Sequence, residues 1–209
     1  MSVISFIDND IILKLTSCDL FWEAIDSLGI DLADIRVLAS TRFVFRSNKP
    51  IKEQYSEEVR NKAIELVKKF STVEADQSNP FFSLQVEGIN IGELTLIYEA
   101  IAVPSFYFIT GDKNCLRALV KTPELATVRE KLNGRVICLE QLIYKLIIDT
   151  EFEVIRSKVV PVRDCDTSLK VAFGSGDRAE QPNVIWALEE RIKELNQECP
   201  NLLIDFCRT

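Results

Sequence analysis

Along the chain, short and predominantly apolar runs alternate with longer stretches in which apolar residues recur every three or four positions. Residues 3–7 form such a run, closed by Asp8. Runs of this kind suit strands buried on both faces. Further strands are predicted over 36–39, 106–109 and 135–139. Helices are predicted between them. Asp10 is read as capping a short helix through Leu15, and Thr16-Ser17 as capping one over 19–28 that Gly29 stops. Residues 31–34 make a short turn, and 56–70 an amphipathic helix. Asn90 opens a largely buried helix through Ile91, Leu94, Ile97, Tyr98 and Ile101. Helices follow over 113–120, over 123–132 and from the last strand to about 149. Residues 72–83, polar and containing Pro80, read as a loop bordering a cleft.

After residue 150 the pattern changes. Residues 159–162 are predicted to add a strand, 163–182 to form a polar loop, and 183–198 an amphipathic helix ended by Pro200. The alternation of strand and helix implies an α/β fold, a three-layer α/β/α arrangement around a mainly parallel central sheet. Residues 1–150 form its main domain, and 151–209 a C-terminal extension with a helix packed on it. Neither an internal repeat nor a low-complexity tract is visible.

Composition narrows the chemistry. An apolar content of 47% over 209 residues describes a folded chain with a well-filled core. A net charge of −7 disfavours nucleic-acid binding through overall charge, so any such contact needs a local basic patch. The six cysteines are scattered without a C-x-x-C pair, which reads as reduced core thiols. The apolar run at 3–7 ends in acid, and that around 142–148 is short and broken by Lys145. Neither reads as a signal peptide or membrane span, so a cytoplasmic protein is expected. Histidine is absent, which removes His-activated nucleophiles and His-ligated metals. Metal chemistry is left to carboxylate oxygens, which favour Mg²⁺ or Mn²⁺.

Asp8, Glu93 and Asp112 each stand where a strand or helix end could open on one rim, and open α/β sheets bind ligands at such rims. Asp10 and Asn114 are further candidate ligands. Each acid also has a purely structural reading: Glu93 completes a capping box with Asn90, and Asp112 or Asp10 caps its own helix. Asp8 needs a partner, since it ends an otherwise apolar strand. From Arg36 to Lys52 there is no acid, while Arg42 and Arg46 are interleaved with Phe43 and Phe45. Such a segment suits a phosphate backbone. Lys113, Arg117 and Lys121 form an i, i+4, i+8 stripe on the helix after Asp112, suggestive of phosphate contact at Lys113 and Arg117. Asp164 and Asp166 read as surface loop acids, and Gly174-Ser175-Gly176 as a turn.

Three pieces carry a family resemblance: SFIDNDIILKL with Asp8, GINIGELTLIYEAIA with Glu93, and FYFITGDKNCLRAL with Asp112. Over roughly residues 1–150 the chain resembles the PIN-domain family of metal-dependent ribonucleases. The resemblance implies a PIN-like fold in which Asp8, Glu93 and Asp112 hold Mg²⁺ or Mn²⁺ and RNA phosphodiesters are hydrolysed. It also implies an endonuclease working as a toxin with an antitoxin-like partner or as an RNA-processing subunit, and a homodimer as a common state. One departure stands out: the family carries another acid after its second strand, and none lies here between Asp34 and Glu53.

Two other readings are compatible with the same residues. A catalytically degenerate PIN-like module would bind protein or RNA without cleaving it. A haloacid-dehalogenase-like phosphatase would use Asp8 and Asp10 as nucleophile and acid, with Gly111-Asp112 in its metal motif. Ile12 and Leu116 depart from that second pattern.

Overall fold

The computed structural model describes residues 3–74 and 86–206. In chain order it runs β1 (Ile4–Ile7), α1 (Asn9–Ser17), α2 (Phe21–Ser27), β2 (Ile35–Leu38), α3 (Thr41–Ser47), α4 (Lys49–Gln54), α5 (Glu57–Val67) and β3 (Ser71–Val73). It continues with α6 (Ile91–Ile101), β4 (Phe106–Ile109), α7 (Lys113–Lys121), α8 (Ala126–Leu132), β5 (Val136–Ile137) and α9 (Leu139–Asp149). The C-terminal part holds α10 (Phe152–Val159), α11 (Thr167–Ala172) and α12 (Gln181–Glu198). The five strands form one parallel sheet in the order β3-β2-β1-β4-β5, so the expected three-layer α/β class is the one observed.

Strand alternation divides the core into two layers, because successive side chains point to opposite faces. Ile7, Val37, Ile109 and Ile137 face the side covered by α1, α2, α3, α5, α9, α10 and α11. Phe6, Leu38, Phe108 and Val136 face the side covered by α6, α7 and α8. The long helix α12 serves both, with Val184 and Leu188 in the first layer and Leu195 in the second. The chain beyond it then lies along β5: Val136 donates to the Leu202 carbonyl at 3.1 Å and accepts from Ile204 at 2.9 Å. A strand edge is thereby covered.

Several sequence expectations give way to packing. Residues 159–162 are not a strand: Phe152, Ile155 and Val159 are buried at helical spacing along α10, and a 3-10 segment, Val160–Cys165, follows. Residues 163–182 are not a polar loop, since Asp166 caps α11 and sends Leu169 and Phe173 into the core. β3 falls where a loop was expected, pairing with β2 through exposed Ser71 and Thr72 that carry no apolar signal. The remainder of that expected loop, from residue 75, lies outside the described residues. Asp8, not Asp10, caps α1, which runs on to Ser17, and α2 starts at Phe21 without a side-chain cap.

Candidate active site

All five strands point the same way, so their C-terminal ends share one rim. The chain order reverses between β1 and β4, which opens a crevice there. Asp8 leaves the end of β1, its N–H bonded to the Ile109 carbonyl at 2.9 Å. Thr110, Gly111 and Asp112 leave the end of β4 beside it. Glu93 lies in the first turn of α6, near enough for the charges of Asp8 and Asp112 to act on it.

Hydrogen bonds fix these groups. Asp8 Oδ1 accepts from the Asn9 N–H at 2.7 Å, and Asp8 Oδ2 from the Thr110 hydroxyl at 3.2 Å. Thr110 Oγ1 accepts in turn from the Asp112 N–H at 3.1 Å. Asp112 Oδ1 accepts from the N–H groups of Asn114 (2.8 Å) and Cys115 (3.1 Å), the cap expected for α7. Glu93 Oε2 accepts from the Asn90 N–H at 2.8 Å, completing the expected capping box. The charges of Asp8 and Asp112 act on Glu93 as well. The structural roles of Glu93 and Asp112 are therefore both filled, and the three carboxyls still lie within reach of one another's charge.

Their electrostatics follow from this crowding. Burial, reinforced by the charge of Asp10, pushes Asp8 up to about 7 against the pull of the Asn9 N–H and the Thr110 hydroxyl. Burial and then the charges of Asp8 and Asp112 push Glu93 up to about 8. Near neutrality Glu93 thus keeps its proton. Among the described residues, none of the three is paired with a cation. Nor, among the described residues, are three His, Cys, Asp or Glu side chains arranged so that they could hold a metal ion.

The other predicted ligands are otherwise engaged. Asp10 pairs with Lys14 at 2.6 Å, and the same ammonium reaches Asp166 at 2.7 Å. Asp166 is therefore a nearly buried partner and not a surface loop acid. Asn114 is exposed, and its side-chain oxygen accepts from Arg117 at 3.3 Å. The basic stripe on α7 is largely committed: Lys113 pairs with buried Glu140 and donates to Ser168 at 2.7 Å, and Arg117 pairs with Glu198 of α12 at 2.7 Å.

Arg42 and Arg46 are exposed on α3, and Phe43 between them is 72% exposed. Phe45, in contrast, is fully buried in the core and belongs to no surface patch. α3 starts on the same rim, because the buried Thr41 hydroxyl donates to Asn9 Oδ1 at 2.7 Å, one residue from Asp8.

A cleft of about 440 Å³ opens over this rim, lined by Asp10, Lys14, Gly111 and Asp112 on one side and by Asp166, Ser168, Arg191 and Glu198 of the C-terminal part on the other. Asp8 and Glu93 do not line it and are themselves buried. A larger cavity of about 820 Å³ lies between α9, α12 and the chain along β5, and shares no residue with the acid cluster. Sequence reasoning missed Lys14 and Ser168, and misplaced Asp166 on the surface. The i, i+4 spacing of Asp10 and Lys14 and the Asp-x-Ser start of α11 are the signals that were there to use. No protein-family model matches the chain, and no curated protein or solved structure matches it either.

Proposed function

We propose that the chain is a metal-dependent ribonuclease of the PIN-like kind that it resembles. One observation carries the reading: Asp8, Glu93 and Asp112 stand near enough at the β1/β4 crevice for their charges to act on one another, without a cationic partner among the described residues, and two of them hold protons far above their ordinary range. Like charges gathered in a buried site require protons or a cation. The donors are all carboxylate oxygens, which suit Mg²⁺ or Mn²⁺. Binding would need Glu93 to release its proton and the carboxyls to draw closer, since the present arrangement does not bring three donors to one point.

Asp8, Glu93 and Asp112 would hold the ion. Bound there, it would supply Lewis acidity toward a phosphodiester and make water more acidic. The chain's own residues do the rest. Thr110 and the N–H groups of Asn9, Asn114 and Cys115 fix the directions of Asp8 and Asp112. Arg42, Phe43 and Arg46 offer an exposed face on the same rim for an RNA strand. A role in RNA processing or as a toxin, with a protein partner or a second copy bound, belongs to the same proposal, as does a cytoplasmic site of action. Among the described residues no helix is long and apolar enough to cross a membrane.

A second reading, a PIN-like module that binds RNA or protein without cleaving it, is favoured by the filled capping roles of Glu93 and Asp112 and by Thr41 in the acid-free segment. The phosphatase reading is weakened by the engagement of Asp10 with Lys14 and by the burial of Leu116. RNA cleavage with Mn²⁺, compared among wild type, Asp8→Asn and Asp112→Asn, decides. Cleavage by the wild type that both variants lose supports the nuclease. Cleavage that both variants keep rejects these residues, and a wild type that binds RNA but neither cleaves it nor binds Mn²⁺ leaves the module.

A further inference from the structure

Cys18 caps the end of α1, and Cys165 closes the 3-10 segment before α11. The two segments touch there: the Ser17 hydroxyl, one residue before Cys18, donates to Cys165 Sγ at 3.6 Å, and the Cys18 and Cys165 thiols act on each other. Cys165 is half-buried and Cys18 is buried beside it, so a small reagent from solvent reaches Cys165 first. The other described cysteines, Cys115, Cys138 and Cys199, are free and buried. The neighbouring Cys18 thiol, against the opposing effect of burial and with help from Ser17, holds the Cys165 thiol below its ordinary range. The same contact and burial push Cys18 up. Access therefore picks out Cys165 as the sulfur that an oxidant meets first, with Cys18 behind it.

We propose that Cys165 is a peroxide-oxidation site that Cys18 resolves into a disulfide, stapling the C-terminal part to α1. In the first step the Cys165 thiolate attacks one oxygen of hydrogen peroxide. An S–O bond forms, the O–O bond breaks, and the departing hydroxide takes a proton to leave as water. In the second step Cys18 sulfur attacks the sulfenic sulfur of Cys165. The S–S bond forms, the S–O bond breaks, and the oxygen leaves as water with the sulfenic and Cys18 protons. Two thiols and one peroxide thus give one disulfide and two waters, with two electrons passing from sulfur to peroxide. A bond of about 2.05 Å replaces the present contact, so the segment ending at Cys165 is drawn toward α1. Asp166, next in sequence, is the partner of Lys14. The staple therefore acts one residue from the cleft lining, and it does not depend on the nuclease reading.

The test treats the full chain with a small excess of hydrogen peroxide, alkylates the remaining thiols and maps peptides without reduction by mass spectrometry. The expected result is a Cys18–Cys165 linked peptide, the loss of two hydrogens from the intact mass, and a higher melting temperature, all reversed by dithiothreitol. Cys18→Ser should leave a sulfenic acid on Cys165 that dimedone traps, Cys165→Ser should give no link, and Cys199→Ser should keep it. The wild-type map decides even where a variant folds poorly. A link between any other pair, oxygen accumulating on Cys165 of the wild type without a link, or no reaction at either residue overturns the proposal.

Discussion

Lys14 donates to Asp166 across 2.7 Å and 152 positions of sequence, and both side chains are nearly buried. The same ammonium pairs with Asp10, so a single cation holds α1, the cleft and the start of α11 together. Removing one partner of a buried pair leaves a charge without compensation. Asp166→Ala should cost about 3 kcal/mol, because Lys14 retains Asp10. Lys14→Met should cost about 5 kcal/mol, because two carboxylates lose their cation. Urea unfolding of both single variants and the double variant measures the coupling. Additive losses would show that the pair does not act as one unit.

The raised carboxyls make stability depend on pH in a definite direction. Asp8 and Glu93 rise from ordinary values of 3.8 and 4.5 to about 7 and about 8 in the folded chain. The folded state therefore keeps protons that the unfolded chain releases. Their contribution is greatest below the unfolded values, falls as pH rises through 7 and 8, and is flat beyond. Between pH 5.5 and 8.5, Asp8→Asn should gain roughly 2 kcal/mol relative to wild type and Glu93→Gln roughly 3 kcal/mol. Asp166 is lowered by Lys14 against its burial, so its own contribution is lost at the acid end instead. Denaturant midpoints at the two pH values read the difference, and parallel pH profiles would remove the proposed burial of charge at this site.

How far the site could be read from sequence depended on distance along the chain. β1 and β4 are apolar apart from Ser5 and the Tyr107 hydroxyl because parallel strands are covered on both faces, and both were legible, as were Asp8 and Asp112 just beyond their ends. The capping box of Asn90 and Glu93 is local and was legible too. β3 was not, since Ser71 and Thr72 are exposed at a sheet edge and nothing apolar marks them. The role of Asp166 was not, since its partner lies on the first helix. Lys113 and Arg117 looked like a free stripe because Glu140 and Glu198, which hold them, are distant in sequence. Phe43 and Phe45 looked alike, yet two positions on a helix turn one toward solvent and the other into the core.

That last pair separates binding from folding. Phe43 is exposed between Arg42 and Arg46, so Phe43→Ala should change stability by less than about 0.5 kcal/mol. It should weaken RNA binding by about tenfold through the lost stacking surface. Phe45→Ala should instead cost about 3–5 kcal/mol, because it empties a fully buried site. Melting temperatures and filter binding of a short single-stranded RNA, run on both variants, distinguish the two effects. Unchanged RNA binding by Phe43→Ala would remove α3 from the proposed interface.

Gly111 is where β4's exit and the Asp10–Lys14 pair compete for space. A Cβ at this position would stand 2.3 Å from Asp10 Oδ2, 3.3 Å from Lys14 Nζ and 3.4 Å from Ile11 Cδ1. The first distance cannot be tolerated, and Asp10 is not free to turn aside while Lys14 holds it. Gly111→Ala should therefore detach Asp10 from Lys14 and cost about 1–3 kcal/mol. Asp10→Ala removes the atom that the new methyl group would meet. In that background Gly111→Ala should cost less than about 0.5 kcal/mol, and the difference between the two backgrounds is the energy of the clash itself. Equal costs in both would place the constraint elsewhere, on Ile11 or on the backbone of the turn, and would leave the glycine without a part in shaping the cleft.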